Sequence, residues 1–251
     1  MDKLSKGLKS AVLIAFLALY LILIWADATR AAPAGASLTY ISTDYGPNGS
    51  SGSRTDPGGT IVTLNLNAVQ QDSGWKAYIG NITGRLVLRN AYSQSIYEWA
   101  LADSALTGSI FITRAATVNW TPLRCANDSE IVVEDGVMGF LSSTSDSINR
   151  TFSNQIHKSM TISEIGTIGN GSCRSTATWV NNTAQALDES SLFQEILLSD
   201  TSTLVYATFI DQDAIGFDYN ETNNKTHDFQ VIVADAKNIT DYTYYFYADI
   251  S

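Results

Sequence analysis

Residues 60–91, TIVTLNLNAVQQDSGWKAYIGNITGRLVLRNA, decide the fold class. Over the first ten, Ile61, Thr63, Asn65 and Asn67 fall on one side, while Val62, Leu64, Leu66 and Ala68 fall on the other. A repeat of two is the repeat of a strand, because successive side chains leave opposite faces of a sheet. A half-buried strand over 60–69 is therefore expected. Behind it, WKAYI and RLVLR flank the turn-forming GNITG, and QSIYEWALA (94–102) and TGSIFITRA (107–115) continue the series at similar spacing. Short strands separated by turn residues predict an antiparallel meander or sandwich.

Working outward, SLTYIST (37–43) reads as a first strand and DYGPNGSSGSRTDPGG (44–59) as an exposed loop, too rich in Gly, Ser and Pro for regular structure. Strands resume late in the chain with SLFQEILLSD, STLVYATFID and HDFQVIVADA. The final YTYYFYADIS carries aromatics on both faces, which predicts a terminal strand covered on both sides or exposed as a binding edge. Between the two groups, LRCANDSEIVVEDGVMGFLSS (123–143) reads as one short helix capped by Asp128 or Ser129, although Val132, Val133 and Gly136 weaken it. The fold class expected is all-β, mainly an antiparallel β-sandwich over 37–251, with that one short helix in the middle.

The chain opens differently. Lys3, Lys6 and Lys9 precede AVLIAFLALYLILIW, and Ala26 and Ala28 come after it at the spacing of a signal-peptidase site. Residues 8–28 as a helix would measure about 31 Å, enough to cross a bilayer. Length thus fits a cleaved signal peptide and a retained transmembrane anchor equally. A third reading comes from Lys6-Gly7 directly before the apolar run, which resembles the processing site of archaeal prepilins, whose helix is kept in a filament core. All three export the remainder of the chain. Residues 1–28 are read as this segment and 29–36, small and weakly apolar, as a linker.

Composition agrees with export. Only 16% of residues are charged, and the net charge is −10 with 15 Lys and Arg. Nucleic acid is excluded as a partner, since phosphate binding draws on clustered cations that release counterions. Cys125 and Cys173 are the only cysteines and read as one disulfide in an exported chain. Bridged, they close a loop of 48 residues, for which the chain-entropy model gives about 4 kcal/mol.

The strongest pattern is Asn-x-Ser/Thr, the acceptor for Asn-linked glycans. It occurs ten times, at Asn48, Asn81, Asn119, Asn127, Asn149, Asn170, Asn181, Asn220, Asn224 and Asn238, where chance gives roughly three. Glycans on these positions would hydrate a surface poor in charge.

Catalytic patterns are missing. His157 and His227 are the only histidines, and each is expected at the surface; neither GxSxG nor HExxH occurs. Asp211, Asp213 and Gly216 fall at positions one, three and six of an EF-hand-type loop, but Ile215 takes a ligand position and Thr222 the place of the bidentate Glu. A looser calcium site from Asp211, Asp213 and Asp218 stays open beside an acidic solvent-facing hairpin; no other cofactor is expected. Paired carboxylates of a glycoside hydrolase need not be neighbours in sequence. Trp75, Trp99, Trp120 and Trp179 would serve a sugar-stacking platform or the core.

With its aromatics and sequons at WKAYIGNITGRLVLRNA, IYEWALA, LRCAN, LFQEILLSD, VYATFI, GFDYNETNNKTHDFQVIV and YYFYADI, the exported part resembles a group of archaeal secreted or cell-surface glycoproteins, pilin-like or filament-associated. The resemblance implies an extracellular structural or adhesive glycoprotein that is not an enzyme. Its partners would be further copies of itself, other surface proteins or glycans, and the membrane if the leading helix is retained. The alternatives are an extracellular hydrolase acting on polysaccharides and a carbohydrate-binding module.

Overall fold

The computed structural model describes residues 32–43, 53–64, 74–89, 92, 94–100, 106–181, 183–217, 225–236 and 242–250. The chain divides into two units, Met1–Ala32 and Pro33–Ser251. The leading hydrophobic segment lies outside the described residues, and the elements named below all belong to the second unit. Among the described residues no helix is long and apolar enough to cross a membrane.

The protein is mainly β, and every strand pairing among the described residues is antiparallel. Its largest sheet runs in the order β1 (Ala34–Gly35), β15 (Tyr245–Ile250), β5 (Gly108–Thr113), β11 (Leu204–Phe209), β10 (Gln194–Ser199) and β6 (Arg124–Cys125), with β9 (Ser175–Ala177) beside the other end of β10. All residues of β10 and β11 are buried. This is why EILLS and LVYATF read as nearly unbroken apolar runs: a strand covered on both faces has no polar side to alternate with.

The two faces have separate cores. Ile110, Ile112, Leu197, Leu204 and Tyr206 point into one, and Phe111, Ile196, Leu198, Val205, Ala207 and Phe209 into the other. Over the first lies the ribbon of β2 (Trp75–Gly80) and β14 (Phe229–Ala234), together with helices α1 (Asp128–Met138) and α2 (Ile148–Thr151). The hairpin of β7 (Met160–Ile162) and β8 (Gly166–Ile168) and the buried Cys173 contribute to the second. Asp249 ties that hairpin to β15, its carboxylate accepting from the Ser163 N–H at 2.6 Å and the Ser163 hydroxyl at 2.7 Å. Two further ribbons pair β3 (Arg85–Arg89) with β4 (Ser95–Ala100), and β12 (Ala214–Ile215) with β13 (Thr226–His227).

Where β15 passes the start of β5, only glycine fits. Gly108 has φ +137°, and a Cβ there would stand 1.9 Å from the Asp249 carbonyl oxygen, inside the van der Waals limit and in a region of φ that L side chains avoid.

Several expectations need correction. SLTYIST forms no strand, and its Leu38, Tyr40 and Ile41 are exposed. The alternating stretch at 60–69 is not a strand over 60–64, where Ile61 is 100% exposed; the remainder lies outside the described residues. Alternation expresses a preference that only a partner strand can satisfy, and among the described residues none pairs with 60–64. The expected linker loses its end to the sheet, because Ala34 and Gly35 pair with Ala248 and Tyr247 and the Ala36 N–H donates to the Phe246 carbonyl at 2.9 Å.

The middle holds two helices rather than one, and the cap of the first is Asn127. Its side chain accepts from the Glu130 N–H at 2.9 Å, while the Glu130 carboxylate accepts from the Asn127 N–H at 2.8 Å, a reciprocal capping box. Gly139, with φ +77°, closes the helix in the left-handed conformation. α1 is inverted for a surface helix: Glu134 and Asp135 are buried beside Ile131 and Met138, whereas Val132, Val133 and Val137 face solvent.

Candidate functional site

Six of the ten sequon asparagines lie among the described residues. Asn81, Asn119, Asn127, Asn170 and Asn181 are exposed, and Asn149 is half-buried. Chemistry at these positions turns on Nδ2, the atom a glycan would occupy. Asn127 caps α1 through Oδ1, which leaves its Nδ2 out of the cap. Asn170 donates Nδ2 to the Glu189 carboxylate at 2.9 Å on the surface. Asn149 instead turns Nδ2 toward the Ser142 carbonyl at 3.2 Å, which ties it to the loop ahead of α2. Asn48, Asn220, Asn224 and Asn238 lie outside the described residues.

The disulfide joins Cys125 to Cys173. Cys125 sits in β6 opposite Leu198, so the bridge ties the edge of the sheet to the turn before β9. Beside it His157 is fully buried, against the surface position expected. Its Nδ1 lies 2.8 Å from the Lys158 carbonyl and its Nε2 2.9 Å from the Cys173 N–H. A carbonyl only accepts and an amide N–H only donates, so Nδ1 carries the proton and Nε2 accepts. Both nitrogens are thereby committed to holding the backbone around the disulfide. Nothing in NQIHKSM signals this, because the Cys173 partner is a backbone group distant in sequence. His227 is half-buried in β13.

Carboxylates inside the protein have backbone or guanidinium partners. Glu134 binds Arg114 through both oxygens, at 2.9 and 2.7 Å, and the same guanidinium lies over the Tyr242 ring. Asp135 accepts from the Ile148 N–H at 2.7 Å, capping α2. Asp228 accepts from the backbone N–H groups of Ile82 and Asp213. Glu195 is different. It is completely buried, accepts from the Ile232 N–H at 3.0 Å through one oxygen, and has no partner for the other. Burial pushes its carboxyl well above the usual range, because the charged form would have no water. Nearby on the neighbouring strand, the buried Tyr206 hydroxyl also lacks a hydrogen-bond partner, and burial raises its pKa too. The sequence does carry a signal for Glu195, a carboxyl set in the otherwise apolar run EILL, but the strand pattern gives it no weight.

Two of the three calcium candidates lie among the described residues. Asp211 accepts from Lys158 Nζ at 2.7 Å and from the Phe193 N–H at 2.7 Å, Asp213 is exposed with φ +49°, and Asp218 lies outside the described residues. Among the described residues no three His, Cys, Asp or Glu side chains come together as metal ligands.

The tryptophans are dispersed as well. Trp75 packs at 6.0 Å from Phe140 and 6.3 Å from Phe152 on one side of the sheet, and Trp120 sits 5.3 Å from both Phe111 and Tyr247 on the other. The Trp99 side chain lies outside the described residues. Of the described tryptophans Trp179 alone is exposed, at 51%. The terminal strand is half-buried and has aromatic neighbours on both faces: Phe246 stacks edge-on with Tyr78 and Tyr247 turns to Trp120, while Tyr245 is exposed and Tyr244, just before the strand, donates its hydroxyl to the Ala234 carbonyl.

No protein-family model, curated protein or solved structure matches the chain.

Proposed function

We propose that the chain is an extracellular structural or adhesive glycoprotein, exported by its leading hydrophobic segment and displayed at a cell surface or in a filament. The observation that carries this reading is a disulfide-closed antiparallel body presenting exposed sequon asparagines. A disulfide suits an oxidising compartment, and Asn-linked sugars are added to exported chains at this triplet. The commitment of Glu134, Asp135, Asp228 and His157 to internal partners supports a structural role for the polar interior. We read the β2–β14 ribbon over the large sheet as the second layer of a sandwich. Assembly with further copies draws support from the edge of β15, where among the described residues β1 pairs with Tyr247 and Ala248 and Ala36 adds a bond to Phe246. An exposed sheet edge accepts an added strand.

Intact mass and N-terminal peptide mapping of the native protein test the reading. A mature start at Leu8 supports a filament core, one near Thr29 a released subunit, and retention of Met1 an anchor. Sugar mass on sequon peptides is expected; its absence from all of them overturns the glycoprotein reading.

A further inference from the structure

The outer edge of β14 is closed by side chains rather than by a strand. In an antiparallel pair alternate residues turn both backbone groups to the partner. Just past the strand ends the Asp235 N–H donates to the Gly74 carbonyl at 2.7 Å, so the odd residues of β14 face β2, and Gln230, Ile232 and Ala234 face away. Each of these three meets one side chain of the body. The Gln230 carbonyl accepts from Thr208 Oγ1 at 2.9 Å, the Ile232 N–H donates to Glu195 Oε2 at 3.0 Å, and the Ala234 carbonyl accepts from the Tyr244 hydroxyl. Among the described residues β14 pairs with β2 alone, so no backbone ladder joins this ribbon to the large sheet. Side-chain hydrogen bonds and the packing of Val231 and Val233 in the first core hold it there.

Of the three side chains, Glu195 alone changes charge near neutral pH. Thr208 does not titrate, and burial pushes the Tyr244 hydroxyl further above an already high value. The titratable group coupled to Glu195 is Tyr206 on the neighbouring strand, which also feels Tyr244 and, from α1, Glu134. The cations of the surrounding elements are committed elsewhere: Arg114 to Glu134, and Lys76 of β2 to Asp235 at 3.0 Å. As a neutral acid Glu195 takes the Ile232 N–H on its carbonyl oxygen. As a carboxylate it would stand fully buried with neither cation nor water, a state relieved when β14 parts from β10 and water enters.

We propose that Glu195 is a pH-sensitive latch for the β2–β14 ribbon: the protonated carboxyl keeps β14 seated on the large sheet, and loss of the proton lets the ribbon lift at Ile232 while the sheet stays folded. Lifting frees the outward backbone groups of β14, and a free strand edge is where an added strand pairs. The sign follows from the two states. In the lifted ribbon the carboxyl is solvated and titrates near about 4.3, whereas burial holds the seated one well above that. Seating is therefore strongest below the lower value, weakens roughly tenfold per pH unit between the two, and is constant above the higher.

The test is amide hydrogen exchange, read by NMR on the full chain between about pH 5 and 8, in the unaltered protein and in Glu195→Gln, which keeps an acceptor for Ile232 and has no proton to lose. After correction for the intrinsic pH dependence of exchange, Ile232 protection in the unaltered protein should fall roughly tenfold per pH unit relative to the variant. It should also lie below the protection of the β11 amides at every pH. The same pH course in both proteins overturns the latch. So does Ile232 protection equal to that of β11, because Glu195 would then meet water only on global unfolding. The carboxyl carbon signal of Glu195 in the unaltered protein gives a second measure that needs no variant. It is expected to titrate above that of the exposed Glu189, and titration together with Glu189 overturns the proposal.

Discussion

Glu134 grips Arg114 with both carboxylate oxygens, from the face of α1 where a surface helix ordinarily places its apolar stripe. The pair joins the helix to the loop leaving β5, and the Tyr242 ring covers the guanidinium at 5.2 Å. Three segments far apart in sequence are thereby joined by one charge-assisted contact, and the valines of α1 are turned outward as a consequence.

Breaking this pair from one side should cost more than removing it. Glu134→Ala leaves a largely covered guanidinium without its partner and should lower stability by about 2 kcal/mol, the scale of hydrogen bonds to a charged group that is partly desolvated. The double replacement Arg114→Met with Glu134→Leu should recover most of that loss, since well-packed apolar residues replace a buried ion pair at little cost. Urea denaturation of the three proteins measures both; a double variant as unstable as the single one refutes the account.

Glu195 makes stability depend on pH with a defined sign. Its folded pKa lies well above the unfolded value, so between the two the native state holds a proton that the unfolded state has lost. The contribution is complete below the unfolded pKa, near about 4.3, and is lost as pH rises toward the folded one. Within that window the unfolding equilibrium constant should rise roughly tenfold per pH unit from this group. Glu195→Gln cannot ionise, so the difference in unfolding free energy between variant and unaltered protein should grow with pH in favour of the variant. A difference that stays flat from about pH 4.5 upward contradicts the assignment.

Around the disulfide, two separable losses are expected. Reduction should destabilise the protein by about 4 kcal/mol through the loop it reopens. His157→Ala should cost about 2 kcal/mol with the disulfide intact, because the Cys173 N–H and the Lys158 carbonyl lose their buried partner. Thiol alkylation under denaturing conditions should modify neither cysteine until a reductant is added, which checks that the second effect is independent of the first.

Occupancy should differ among the sequons in a way that tracks Nδ2. Asn149 is half-buried and donates that atom to the Ser142 carbonyl, so its peptide should carry the least sugar of the six described positions. Quantitative peptide mapping decides this; full occupancy at Asn149 would falsify the idea that the folded geometry governs attachment.

Much of the fold is legible in one dimension. Strands β2 through β5, β10, β11, β14 and β15 lie where short apolar or alternating runs end in turn residues, and the pairing of Cys125 with Cys173 is implied by there being two cysteines in a chain read as exported. The same logic misplaces strands at 37–43 and 60–64, because alternation describes which way side chains point and is silent on whether a neighbouring strand arrives. It also misses Ala34–Gly35, whose small side chains carry no pattern and whose place in the sheet depends wholly on the edge of β15.

The sequence alone determined the backbone preferences: extended runs, turns rich in Gly and Asn, a capped helix near residue 128, and acceptor triplets wherever they are spelled. Only the tertiary structure decided which side of α1 is inside, which histidine is buried, and which asparagine turns its amide inward. Those outcomes rest on partners contributed by distant segments, such as Arg114 for Glu134, Cys173 for His157 and β15 for β1, and no local pattern encodes the arrival of a partner.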